Sequence, residues 1–165
     1  MSILVVPSVF PWTMFFAVLI TIEYSYIKYF VAGPALRKKY FNEKFMSRWS
    51  NDHNKAFPET KPIEGGYPDN GEGRYASNLS YKEWVEFCNH QRVHRNFIEQ
   101  MPVILINLMI GGVFVPKTAL FVSICVFVGR IIYTHQYITK GSNSRFVGVG
   151  MMVAPLYALT LYTYL

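Results

Sequence analysis

Apolar residues along the chain are gathered into four long blocks, roughly Val9 to Ala32, Phe97 to Val115, Thr118 to Tyr137 and Phe146 to Leu165. Each block meets the length of about 20 mostly apolar residues that a membrane-crossing helix needs. The blocks take up most of the chain, so the pattern predicts an all-α protein. It is expected to be a four-transmembrane-helix bundle forming a single domain over residues 1–165, with no separate soluble module. The second helix is expected to begin well before its apolar block. Ser80 followed by Glu83 is a capping-box pattern, which starts that helix at Tyr81 and carries it to Phe114. At 1.5 Å per residue such a helix is about 50 Å long, against a hydrocarbon core of about 30 Å. Its first turns should therefore stand in water.

Between the first and second helices lies a long polar insertion at about 41–80. Its middle, FPETKPIEGGYPDNGEG, is rich in proline, glycine and an Asp-Asn-Gly triplet, which is turn chemistry. The insertion is aromatic for so polar a stretch, with Trp49, Phe57, Tyr67 and Tyr75, and with Tyr81 and Trp84 just beyond it. Such residues form either an interfacial belt or a docking arm for a protein partner.

Composition and charge add orientation. Hydrophobic residues make up 52% of the chain and aromatic residues 17%. The net charge of +6 is concentrated at the ends of the apolar blocks, in Arg37, Lys38, Lys39, Arg92, Arg95, Lys140 and Arg145. The second loop offers only Lys117. By the positive-inside rule, the first and third loops face the cytosolic side and the N-terminus faces the other way. Basic residues at membrane edges suit anionic headgroups, and with no separate basic face no nucleic-acid partner is expected. The first block has no basic residue before it and no small-residue cleavage site at the right distance, so it is expected to stay as an anchor. Cys88 and Cys125 fall on different helices and show no metal-ligand spacing, so neither a disulfide nor a metal is expected. Endoplasmic reticulum and mitochondrial membranes are both compatible with this pattern.

Two polar constellations interrupt the apolar blocks. In RVHRNFIEQMP, Arg92, Asn96 and Glu99 stand at i, i+4 and i+7. On a helix they fall within about 60° of one another, a cation, an amide and an anion at a membrane boundary, which suits a small zwitterion. In GRIIYTHQYITKG, Arg130, Tyr133 and Tyr137 stand at i, i+3 and i+7, again on one face. An intramembrane arginine is a functional-site hypothesis, whose plain alternative is snorkelling to headgroups. Two such faces on neighbouring helices would enclose a polar cavity. Glu23 and Lys28 are about 140° apart on the first helix and need not pair. His94 lies on the side of its helix opposite Arg92, and His135 sits at a span end.

Taken in order, RKKY closing the first span, QRVHRNFIEQMP entering the second, VGRIIYTHQY ending the third and Arg145 opening the fourth resemble one family. It is the family of membrane-associated proteins in eicosanoid and glutathione metabolism, and within it the microsomal glutathione transferases of the third type. The likeness covers about Tyr26 to Tyr40 and Cys88 to Leu165. It implies a homotrimer that binds glutathione as co-substrate between subunits near the cytosolic face and conjugates it to a hydrophobic electrophile from the lipid bilayer, with peroxidase activity as an extension. By position, Arg37, Arg92 and Arg130 match the family's arginines around the tripeptide, and Asn96 and Glu99 its amide and carboxylate. Tyr133 and Tyr137 match its two tyrosines, and Arg145 matches the arginine credited with stabilising the thiolate. Gln100 and Lys38 depart from the leukotriene-forming members, which have tyrosine and arginine there, and Arg95 adds a charge. The first loop is about 30 residues longer than the family's usual one. That length keeps two further roles in view, an accessory subunit of a larger membrane complex and a non-enzymatic lipid-presenting scaffold.

Overall fold

The computed structural model describes residues 6–23, 33–67 and 69–164, and among these all regular structure is helical. The chain divides into two compact units, one formed by residues 1–24 and 93–165 and the other by 25–92. Helices α1 (Phe10–Ile22), α6 (Pro116–Lys140) and α7 (Phe146–Tyr164) belong to the first. Helices α2 (Gly33–Tyr40), α3 (Glu43–Met46) and α4 (Ser50–Ala56) belong to the second. The long helix α5 (Tyr81–Phe114) runs through Arg92 in the second unit and continues from Val93 in the first.

Among the described residues, three helices are long and apolar enough to cross a membrane: α5, α6 and α7. The first predicted span is seen as α1, a shorter apolar helix, and its expected continuation, including Lys28, lies outside the described residues. The start of α5 follows from its capping box. The Ser80 hydroxyl and backbone N–H both donate to Glu83 Oε2, at 2.7 and 3.0 Å, satisfying groups that a helix start leaves open. Pro116 occupies the first turn of α6, where a missing N–H costs nothing. Gly141, at φ 83°, ends α6 by taking a conformation that side chains disfavour.

The core of the first unit is built from Ala17, Ile20, Phe97, Ile104, Leu108, Ala119, Val122, Val126 and Leu159. Small residues let its helices meet closely, as membrane bundles require. A Cβ on Gly148 of α7 would lie 2.5 Å from the Tyr133 backbone nitrogen of α6, and one on Gly129 would lie 2.8 Å from Met152. The outer surface is apolar as well. Trp12, Phe15, Val103, Ile106, Met109, Phe121, Ile131 and Leu161 are all exposed, which is the arrangement a lipid-facing surface demands.

The second unit holds the long insertion, and its aromatic residues do not all behave alike. Tyr40, Phe41, Phe45, Met46, Ala76 and Phe87 form a buried cluster, against which Trp49 and Tyr75 pack. Phe57, Tyr67, Tyr81 and Trp84 are exposed. Among its described residues, the stretch read as turn chemistry has no helix between Phe57 and Tyr75, and Gly65, Gly66 and Gly71 all have positive φ there. Asp69 organises it by accepting from the Gly71 N–H at 2.9 Å and the Ala76 N–H at 3.4 Å. Trp84 Nε1 ties α5 to the same turn by donating to the Gly71 carbonyl at 2.8 Å.

Candidate functional site

Polar residues on the facing sides of α5 and α6 come together inside the first unit. Arg130, Tyr133 and Tyr137 are each 3% exposed. Burying a guanidinium is costly unless its donors and its charge are answered. Arg130 Nη2 donates to the Val93 carbonyl at 2.6 Å, using a second lone pair on a helical oxygen. The guanidinium also lies over two ring faces, 4.3 Å from the Phe97 centroid and 4.9 Å from that of Tyr133. Desolvated cation–π contacts of this kind contribute about 2 kcal/mol each. Arg130 is therefore held inside the bundle, which answers the snorkelling alternative.

One turn along α6, the Tyr133 hydroxyl accepts from Asn96 Nδ2 at 2.6 Å. This bond joins the two polar faces that the sequence set on neighbouring helices. Tyr133 and Tyr137 lie 5.5 Å apart in a tilted pair, and the Arg145 guanidinium stands 5.8 Å from the Tyr137 centroid. Asn96, Arg130, Tyr133, Tyr137 and Arg145 thus form a chain of contacts from α5 across α6 to the start of α7. Asn96 and Arg145 are half-buried and give the chain its reach toward the surface.

Glu99 stands apart from that chain. It is exposed and lines a groove of about 290 Å³ between α5 and α7, together with Gln100, Val103, Asn107, Leu156 and Thr160. Arg92 is exposed on α5, four residues before Asn96. Arg37 has a different engagement, within the second unit. Its Nε donates to the Gly65 carbonyl at 3.1 Å, its Nη1 to the Asp69 carbonyl at 2.9 Å, and its Nη2 to the Tyr67 carbonyl. Its guanidinium also lies 5.4 Å from the Phe41 ring centroid and 5.9 Å from that of Phe87. Burial pushes the Arg37 pKa down, and the nearby Asp69 charge offsets part of this. Three of its five N–H groups are thus given to the insertion's own backbone.

Sequence reasoning missed the supports of Arg130. Phe97 and Val93 stand at i and i−4 on α5, so helical spacing could have placed them on one face, but apolar residues in an apolar block carry no distinguishing signal. It also passed over Asn107, an amide inside the apolar run of α5, whose isolation was itself the signal. No solved structure matches the chain. The family model described as the MAPEG family matches residues 13–165, and the chain belongs to the MAPEG family.

Proposed function

We propose that this multi-pass membrane protein is a glutathione transferase acting on hydrophobic electrophiles, assembled as a homotrimer. The observation that carries the reading is the Asn96–Tyr133 contact beside buried Arg130, continued through Tyr137 to Arg145. The set supplies two guanidinium groups, an amide and two phenols in one unit, and Glu99 adds an anion on α5. Glutathione carries two carboxylates, which guanidinium forks recognise, and one ammonium, which Glu99 can take. Arg92, on the same helix, adds a third guanidinium. Arg37 is left out because its donors already hold the insertion together.

The proposed chemistry begins with the thiol. Near a pKa of about 8.5 it is mostly protonated at neutral pH, and only the thiolate attacks. Arg145 stands beside the sulfur in this reading and favours the charged form. With an epoxide, the C–S bond forms as the ring C–O bond breaks, and the alkoxide takes up the proton the thiol lost. With an aryl chloride, chloride leaves. With a lipid hydroperoxide, the thiolate attacks the terminal oxygen and the O–O bond breaks. The alcohol leaves with a proton, and a second glutathione converts the sulfenic product to the disulfide and water.

The test is conjugation of glutathione to 1-chloro-2,4-dinitrobenzene by the detergent-purified protein, alongside equilibrium dialysis of glutathione. Arg145→Ala is expected to lower the rate at pH 7 about 25-fold, the change in thiolate fraction when a thiol pKa of about 8.5 is lowered by about two units, while glutathione still binds. Glu99→Ala is expected to weaken binding itself. Wild-type protein that neither binds glutathione nor exceeds the uncatalysed rate overturns the proposal.

A second reading draws on the exposed apolar side chains of the insertion, Phe57, Ile63 and Tyr67, and on Tyr81 just beyond it. They suit a subunit docked in a larger membrane complex, with or without catalysis. Blue-native migration of the endogenous protein separates the two: a small trimer favours the free enzyme, and co-migration with a large assembly favours the subunit.

A further inference from the structure

The second unit carries a polar pocket of about 320 Å³, lined wholly by residues between Lys39 and Glu83. Lys39, Lys44 and Arg48 line it from one stretch of chain, and Asn78, Ser80 and Glu83 from another. Local sequence sets the basic side. Asn42 caps α3 by accepting from the Phe45 N–H at 3.0 Å, and the helix runs on into a 3-10 turn at Ser47–Trp49. Phe45 and Met46 turn into the aromatic core, which leaves Lys44 and Arg48, one helical turn apart, on the exposed face. Lys39 joins them from the end of α2.

The cations keep donors for a ligand. Arg48 lies 5.0 Å from the Phe45 ring centroid, and a guanidinium over a ring keeps the N–H groups in its own plane for other partners. Among the described residues, no carboxylate pairs with Lys44 or Arg48. Lys39 Nζ is 3.0 Å from the Tyr40 hydroxyl and 3.4 Å from Glu86 Oε2, which uses two of its three N–H groups. Like charges around one depression repel each other and focus a positive potential on it. Glu83 offsets one of the three, and its Oε2 already accepts from Ser80, which leaves its second oxygen as an acceptor. The lining thus carries two positive charges in excess, beside a carboxylate oxygen that can accept from a hydroxyl.

We propose that this pocket binds a phosphorylated polyol. A phosphate monoester carries nearly two negative charges at neutral pH and three strong acceptor oxygens, which suit the fork of Arg48 and the ammonium groups of Lys44 and Lys39. At about 320 Å³ the pocket stands at the lower end of small-molecule sites, about 300–1,000 Å³, and is larger than a bare phosphate needs. The group that carries the phosphate is hydroxylated, because an amide, a hydroxyl and a carboxylate line the rest of the pocket. A soluble sugar or cyclitol phosphate and the headgroup of a phosphorylated inositol lipid share this chemistry. The site belongs to the insertion's unit and stands independently of the glutathione-transferase reading.

The experiment uses full-length protein in phosphatidylcholine nanodiscs. Calorimetric titration compares myo-inositol 1-phosphate with myo-inositol and with inorganic phosphate, and native mass spectrometry compares retention of phosphatidylinositol 4-phosphate with that of phosphatidylinositol. Wild-type protein is expected to bind the phosphate ester at least about tenfold more tightly than inositol and about three- to tenfold more tightly than inorganic phosphate. Lys44→Ala and Arg48→Ala are each expected to weaken it about tenfold, the worth of one hydrogen bond between charged groups. Lys55→Ala, which removes an exposed lysine of the same unit that does not line the pocket, should stay within about twofold. Binding of the soluble ester alone supports the proposal with a free metabolite as the source. Selective retention of the phosphorylated lipid, lost in Arg48→Ala, supports it with a headgroup as the source. Failure of both probes to bind, inorganic phosphate binding as tightly as the ester, or an equal loss in Lys55→Ala overturns it.

Discussion

In the unit formed by 1–24 and 93–165, Ser123, Arg130, Tyr133 and Thr134 are buried, while Trp12, Met109, Phe121 and Leu161 are exposed. In the unit formed by 25–92 the order is reversed, with Phe41, Met46 and Phe87 buried and Lys38, Lys44 and Arg48 exposed. The difference follows from what each unit is immersed in. Hydrocarbon gives apolar side chains no reason to hide, so polar groups turn inward to find partners and close packing through glycine holds the helices. Water drives rings together, so the insertion has an ordinary aromatic core. Each unit nonetheless holds an arginine over two aromatic rings, buried in the first and half-buried in the second. Arg130 rests on Phe97 and Tyr133, and Arg37 on Phe41 and Phe87. Arg37 spends its N–H groups on three carbonyls of one turn and so shapes that turn. Arg130 gives one to the Val93 carbonyl and stands among Tyr133, Tyr137 and Asn96, side chains of two helices rather than the backbone of one turn.

The contrast breaks first at the insertion's core. Phe41 is fully buried and contacts the rings of Phe45, Tyr75 and Phe87. Phe41→Ala is expected to cost about 3–5 kcal/mol, the usual loss for a buried aromatic ring. If the two units rest on separate cores, trypsin should cleave at Lys55 and Arg74 far faster in the variant, while hydrogen exchange along α6 and α7 stays as in wild type. Equal loosening of both units would show that they share one core.

The next largest effect probes the bundle's own logic. A Cβ on Gly148 would meet the Tyr133 backbone at 2.5 Å, and backbone cannot rotate away. Gly148→Ala should therefore cost about 1–3 kcal/mol, the range for overpacking, and lower the melting temperature in detergent. Two residues along the same helix, Gly150 has nothing within 4 Å of an added Cβ. Gly150→Ala should change stability by less than about 1 kcal/mol, in the favourable direction set by helix propensity. A matching drop for both glycines would mean that helix packing through Gly148 does not hold the bundle together.

How much of this was legible depended on whether the deciding contact was local. Ser80 and Glu83 stand within one turn, so the start of α5 at Tyr81 could be read directly, and Phe146 opens α7 where the apolar block begins. Helix α6 extends past Tyr137 to Lys140 because a helix ends where its backbone breaks, at Gly141, and not where hydrophobicity stops. Arg130, Tyr133 and Asn96 were placed on facing helices by period alone, and the bond between Asn96 and Tyr133 answers that placement. The insertion's core was out of reach. Phe41 and Phe45 have helical spacing, but their partners Tyr75 and Phe87 lie far along the chain, across a stretch whose prolines and glycines carry no register. Arg37 shows the same limit, since its partners are backbone carbonyls, which no residue type announces.

The smallest effect sharpens the picture of the insertion, because its core is rimmed by a titrating phenol. Burial first, and then the hydrogen bond to Glu86, hold the Tyr40 pKa above the ordinary tyrosine range, while Lys39 pulls it the other way. Burial likewise raises that of Tyr75. The fold thus favours the neutral phenol. Its contribution is fully present below the unfolded value of about 10, and is lost as the pH rises through the higher folded value. Proteolytic opening of the insertion should accordingly steepen above about pH 10, and Tyr40→Phe, which cannot ionise, should open less steeply over the same range. Identical pH profiles for the variant and wild type would mean that Tyr40 ionises without strain, leaving the aromatic core indifferent to the charge at its edge.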